Sequence, residues 1–250
     1  MLRNGCFFQK TSVNIYLLID ETSLSQGELY TIVTNKAAKG KKGALVAIVK
    51  GTESETVIKV LCRIKEWARK KVKEVTLDLA PTMARIVRRS FPKAKLVSDR
   101  FHVQQLASEA VQEIRIKHRW EAIEQENKEM DLAKEAQKPW LADMLENGDT
   151  LKQLLARSRY LLFKKETNWT PSQTHRAELL FKRYPDLQKA YEISQELSSI
   201  LSRSKDRRIA FKKLAIWYNK IEKLGYKSFN TIARTIQNNY ETILNYFDNR

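Results

Sequence analysis

Lys95-Leu-Val-Ser-Asp99-Arg-Phe-His102-Val103 is the stretch on which the reading of this chain turns. A short apolar run ends in an acid and, three residues on, an imidazole; Val103, Leu106, Ala110 and Ile114 then recur at helical spacing. The pattern is that of a strand running into a long helix. A carboxylate at the end of a strand can present its charge at the edge of a sheet, whereas one buried in mid-strand carries a desolvation penalty of several kcal/mol. Position along a strand is therefore informative, and the chain upstream repeats the arrangement twice.

Val75-Thr-Leu-Asp78-Leu79 is a second short strand with an acid near its end, and Ile15-Tyr-Leu-Leu-Ile-Asp20-Glu21 is a third, apolar on both faces as a central strand must be. Two β-branched runs, Leu29 to Thr34 and Ala44 to Val49, follow the latter through a polar turn (Ser23 to Gly27) and a basic one (Asn35 to Gly43), which predicts an antiparallel meander. Thr52-x-x-Glu55 has the form of a capping box, and Val57, Leu61, Ile64 and Ala68 behind it predict a helix from Glu53 to Lys71. That crossover makes the Val75 strand parallel to the first. Pro81 opens the next helix, Met83, Ile86 and Val87 form its apolar stripe, and Phe91-Pro92 ends it before the Lys95 strand. Three strands, a helix, a strand, a helix and a strand make the order of a ribonuclease H-like fold: an α/β architecture with a mixed sheet.

Beyond Val103 the pattern is helical. A charged helix continues to Glu135, and Pro139 interrupts it. Asp149 or Thr150 caps the next helix, Thr170-Pro171-Ser-Gln173 opens another, and further stretches run from Pro185 to Leu201, Arg207 to Lys223 with Gly225 behind it, and Phe229 to Phe247. The expected organisation is an irregular lead over residues 1–12, a ribonuclease H-like core over 13–118, a large all-helical insertion over 119–227, and the start of a C-terminal core helix over 228–250.

The 250 residues carry a formal charge of +17, which makes a polyanion the expected partner, since each phosphate neutralised releases counterions. Only 7 Gly and 5 Pro argue against a loop-rich chain. No apolar run approaches the ~20 residues of a membrane span, and no cleavable leader follows Val13 to Ile19, so the expected compartment is the cytoplasm. Cys6 and Cys62 have neither a disulfide nor a zinc spacing. The basic turn from Lys36 to Lys42 lacks the spacing of a nucleotide-phosphate loop and reads as a solvated hairpin tip, with phosphate binding the open alternative.

Phosphodiester cleavage is served by two divalent ions roughly 4 Å apart, and hard cations such as Mg²⁺ or Mn²⁺ need only two or three carboxylates from neighbouring elements. Asp20 and Asp78 are the candidates, as catalytic residues and as metal ligands. Asp99-x-x-His102 is given a supporting role, with His102 orienting a phosphate, a water or a carboxylate; a structural histidine is the alternative. Arg115, Lys117, Arg119, Arg157, Arg159, Arg207 and Arg208 are candidate phosphate contacts, each also readable as part of a solvated helix face.

Ile19-Asp20-Glu21-Thr22-Ser23, Val75-Thr-Leu-Asp78, Phe91-Pro92-x-Ala94 and Val97-x-Asp99-Arg-Phe-His102-Val103 together resemble the DDE transposases of bacterial insertion sequences, in the ISL-three family. Leu29 to Lys39 and Leu154 to Leu162 further resemble one branch of it, and the likeness runs from about residue 18 onward. The resemblance implies that Asp20 and Asp78 are the first two catalytic acids, that Asp99 and His102 mark the fifth strand, and that the helical region precedes the helix bearing the third acid. In the family a catalytic Glu follows a phrase matching Tyr246-Phe247-x-Asn249-Arg250, so it is expected outside this sequence; Glu222 and Glu241 lack its surroundings. The family's upstream zinc-binding and helix-turn-helix regions are likewise not found, and the chain reads as a fragment or one frame of a split gene. The implied function is Mg²⁺- or Mn²⁺-dependent DNA cleavage and strand transfer at insertion-sequence ends, by a homodimer or larger assembly on DNA. The rivals are a non-catalytic DNA-binding protein or transposition inhibitor, and a junction-resolving nuclease of the same fold.

Overall fold

A computed structural model describes residues 6–8, 13–23 and 27–248. Its sheet has the order β1-β4-β3-β2-β5-β6. The strands are β1 (Cys6–Phe8), β2 (Tyr16–Ser23), β3 (Leu29–Asn35), β4 (Leu45–Lys50), β5 (Glu74–Leu77) and β6 (Lys95–Ser98). The pairs β2–β3 and β3–β4 are antiparallel, the expected meander, while β2–β5 and β5–β6 are parallel. Most of the lead over residues 1–12 lies outside the described residues, as does part of the turn from Ser23 to Gly27; Cys6–Phe8 pairs with β4 at one edge.

The helices of this part are α1 (Ser54–Leu61), α2 (Glu66–Lys71) and α3 (Pro81–Ser90). Leu17 and Ile19 of β2, Val75 and Leu77 of β5, Val57 and Leu61 of α1, and Met83, Ile86 and Val87 of α3 are buried together. The sequence predicts one helix from Glu53 to Lys71, and the chain forms two. Ile64 turns inward to the core after Leu61, and the Arg69 guanidinium donates to the Ile64 carbonyl at 3.1 Å and the Ser90 carbonyl at 2.8 Å. A side-chain cation thus satisfies a carbonyl that the break leaves without a helical partner. Nor does the Thr52 capping box form: Glu53 is the N-cap, without a side-chain capping bond.

The remaining helices are α4 (Arg100–Glu135), α5 (Leu151–Arg157), α6 (Pro171–Arg183), α7 (Pro185–Arg203), α8 (Arg207–Leu224), α9 (Lys227–Asn238) and α10 (Tyr240–Leu244). Thr150 and Thr170 each close a capping box, with Gln153 and Gln173. The single helix expected from Phe229 to Phe247 divides at Asn239, whose φ of −115° and ψ of 15° leave the helical region.

Two compact units result: residues 1–103, 204–211 and 234–250 form one, and 104–203 with 212–233 the other. One boundary between these units follows Val103, within α4, which is continuous across it. The first unit is α/β with a mixed sheet and the second is helical. In the second, Trp217 is fully buried and donates its indole N–H to the Ile193 carbonyl at 3.0 Å, and Leu154, Leu155, Leu180 and Leu197 are buried.

Candidate functional site

Parallel pairing of β2 with β5 sets Leu17 against Val75 and Leu18 against Thr76. Two residues further along each chain come Asp20, on β2, and Asp78, one step past β5. Side chains two apart in a strand share a face. Leu17, Ile19, Val75 and Leu77 occupy the buried one, which leaves Asp20 and Asp78 to the other, level with each other; Asp78 follows the end of β5, but Asp20 is not the terminal acid the sequence suggests, because β2 runs on to Ser23 through its pairing with β3. Lys36, from the basic turn, reaches Glu74 at 3.0 Å and the Thr76 hydroxyl at 2.7 Å.

Each acid accepts a hydrogen bond from a nearby backbone amide. Asp20 Oδ1 accepts from the Glu21 amide at 2.8 Å, and Asp78 Oδ1 from the Ala80 amide at 2.9 Å, a turn that leads into α3. The His102 Nε2 lies 3.7 Å from Asp20 Oδ1, the two side chains being 29% and 49% exposed. Asp99 Oδ1 accepts from the Phe101 amide at 2.9 Å, and the Asp99 amide donates to the Leu77 carbonyl at 2.7 Å. Asp99 thus opens α4 and joins it to β5, which aims His102 toward Asp20. The fold brings Asp20, Asp78 and His102 to one end of the sheet and gives Asp99 to the helix start.

Glu21 is a residue that the sequence reading passed over. Burial holds its carboxyl above the usual glutamate range, and the negative charges of Asp78 and then Asp20 push the same way. Strict alternation along β2 would turn Glu21 from its neighbour; its adjacency to Asp20 was the only signal, and the crowding is tertiary. Among the described residues no three His, Cys, Asp or Glu side chains are grouped so as to hold a metal ion. Two carboxylates with uncommitted oxygens and an adjoining raised acid do suit a hard cation that completes its shell with water and phosphate oxygens.

A cleft of about 220 Å³ opens beside Asp78, lined also by Arg88, Ser98, Asn239, Glu241 and Thr242. Ser98 and Thr242 share a hydroxyl hydrogen bond of 2.7 Å, and Asn245 donates to the Leu96 carbonyl at 2.8 Å, so α10 and the turn behind it are tied to β6. Glu241 therefore shares a cleft with Asp78, but Asp20 does not line it; Glu222 is exposed in the helical unit.

The basic candidates separate. Arg115 is buried, its Nε donating to Gln112 at 2.7 Å and its Nη1 to the Leu155 carbonyl at 2.9 Å. Burial, with Arg119 and Arg159 nearby, holds its guanidinium below the usual range. It is a packing cation rather than a phosphate contact, because a buried charge must find its partners inside. Arg157 is engaged with Asp149, and Arg207 with Asn245 at 2.7 Å and Asp248 at 3.3 Å. Lys117, Arg119, Arg159 and Arg208 are exposed. Arg207 and Arg208 belong to one unit and the other five to the second.

Comparison with known proteins finds a match over residues 17–250 to the family model of transposases of the DDE, ISL3 type. A curated relative, the transposase for insertion sequence element IS1001 of Bordetella parapertussis, is 22% identical over 233 residues, covering 92% of this chain and 50% of that protein. The chain thus spans about half the length of the curated relative it matches. No solved structure matches significantly. Among the described residues no helix is long and apolar enough to cross a membrane.

Proposed function

The chain belongs to the ISL3-type family of DDE transposases, and from that premise we propose that it carries the first part of a DNA cleavage and strand-transfer site on a ribonuclease H-like sheet, with Asp20 and Asp78 as its first two acids. The observation that supports this reading is the register of β2 on β5, Leu18 against Thr76, which, carried two residues along each chain, brings Asp20 and Asp78 level. Asp20 and Asp78 would hold Mg²⁺ or Mn²⁺, two ions in the complete site, which when bound supply positive charge at the attacking and leaving oxygens. Water attacks the phosphorus at an element end, the bond to the 3′-oxygen breaks, and that oxygen leaves as a hydroxyl once protonated. The freed 3′-hydroxyl then attacks a phosphorus of target DNA and displaces its 3′-oxygen. His102, beside Asp20, orients that carboxylate or an incoming phosphate, and of the basic candidates Arg159 and Arg208 are exposed cations open to the DNA backbone, while Lys117 pairs with Glu121 at 3.8 Å.

In this reading a third carboxylate completes the site, and residues 1–250 by themselves, acting in the cytoplasm, have weak catalysis or none. Strand transfer is measured on element-end DNA with a divalent ion, with and without a supplied C-terminal segment. Activity that needs the segment and disappears in Asp20→Asn and Asp78→Asn supports the assignment. Robust activity of residues 1–250 that survives both substitutions overturns it. A second reading, a non-catalytic DNA-binding protein or transposition inhibitor, draws on the charge of +17, which acts without any metal. Salt-sensitive DNA binding that chelation leaves unchanged, with no strand transfer under any condition, favours it.

A further inference from the structure

On α4, Ile116, Trp120, Ile123, Asn127 and Met130 follow one another at spacings of four, three, four and three residues. That is the a and d repeat of a coiled coil, with Trp120 and Asn127 at a positions. Ile116, Trp120 and Met130 are 42%, 60% and 45% exposed. A different side of the helix faces its own unit: Arg115 and Ala122 are buried, His118 bonds Asp186 at 2.7 Å, and Glu126 takes Lys152 at 2.8 Å. One stripe of α4 is thus covered within the unit, and a second, about four turns long and apolar but for Asn127, is exposed except at half-buried Ile123.

We propose that this second stripe is the seam of a parallel, in-register two-helix coiled coil with α4 of a second copy of the chain. Asn127 argues for the copy and for its direction. Parallel pairing in register sets its amide against the same amide, where the two hydrogen-bond; antiparallel pairing would bury it against an apolar d residue. Arg119 and Glu124 occupy the flanking g and e positions, where opposite charges meet across a parallel seam. Both are exposed, and neither is in an ion pair with another described residue. Glu126 and Asp131 would also meet there with like sign, but the Glu126 carboxylate is already engaged by Lys152. Nucleic acid is a poor occupant of the stripe itself, because its surface is apolar and, although Lys117 and Arg119 flank its first turn, Glu113, Glu124, Glu126 and Asp131 border it as well and repel phosphate. The seam stands on α4 alone and does not rest on the chemistry at Asp20 and Asp78, although a protein that holds two DNA ends would use it.

Sedimentation equilibrium of the 250-residue chain, without DNA or metal, tests the association. A monomer–dimer equilibrium is expected, weakened by about tenfold or more in Trp120→Glu with Met130→Glu and tightened by about tenfold in Asn127→Ile, because a polar a residue lowers coiled-coil stability. Far-UV circular dichroism checks that each variant is folded. In a Cys6→Ser, Cys62→Ser background, Asn127→Cys should cross-link to itself on mild oxidation far faster than Gln125→Cys, which lies off the seam. A chain that stays monomeric at every concentration, a dimer that ignores the double substitution while folded, or equal cross-linking at 125 and 127 overturns the proposal.

Discussion

Two sets of acids in this molecule are held in opposite ways. In the helical unit Asp149 is buried, bonded by Asn147 at 2.9 Å and Arg176 at 3.3 Å, and joined to Arg157 as well. In the sheet unit Asp20 and Asp78, among the described residues, accept hydrogen bonds from one nearby amide each, with His102 3.7 Å from Asp20; they stand partly in water and crowd Glu21 with negative charge. Asp149 is neutralised by the fold and so contributes to stability. The other two are left with repulsion that a cation would relieve, the condition in which a site gains from binding what the fold withholds.

The most forceful way to break that contrast is to neutralise the sheet-end acids. Asp20→Asn or Asp78→Asn is expected to abolish any divalent-dependent cleavage of element-end DNA, while the thermal midpoint holds or rises; a fall of several degrees would mean that these acids serve the fold. Asp149→Ala should do the reverse. Removing a buried partner leaves cations unmatched, and about 3 kcal/mol of stability is expected to go, read from urea unfolding. A change under half a kcal/mol, order of magnitude, would remove the distinction.

His102→Ala sharpens the picture further, lowering activity or metal affinity by about ten- to a hundredfold with little loss of stability, as expected for a group that orients a ligand. The smallest effect concerns Asp248, whose carboxyl is held below the usual aspartate range by the hydrogen bond from Lys95, with Arg207 adding to it. A depressed folded value means a stabilisation fully present above the ordinary aspartate value and lost as pH falls through the lower folded one. Lys95→Met should therefore flatten the acid limb of the stability curve and leave stability unchanged once the pH lies below the lowered folded value of Asp248.

Legibility along the chain followed how local each determinant is. The meander, both parallel crossovers, the Pro81 helix and the Thr150 and Thr170 caps were readable, because alternation, helical spacing and capping are set by residues within a few positions of one another. The break at Cys62 to Lys65 was not, since it depends on Ile64 finding the core and on Arg69 reaching across to Ser90. The unit boundary inside α4 left no mark on a continuous helix. Arg115 looked like its exposed neighbours because sequence spacing does not tell a buried cation from a solvated one; the carbonyl of Leu155 and the amide of Gln112 decide that.

For the candidate site, the sequence by itself determined the residue types and their place after apolar runs: Asp78 follows the end of its strand, Asp99 and His102 mark the strand beside it, and Asp20 closes an apolar run although β2 itself continues to Ser23. Only the tertiary structure decided their company. It set Asp20 level with Asp78, turned His102 toward Asp20, crowded Glu21 with both acids, and lined one cleft with Asp78 and Glu241 but not Asp20. Electrostatic repulsion and burial depend on distances through space between strands far apart in the chain, and no local pattern carries them.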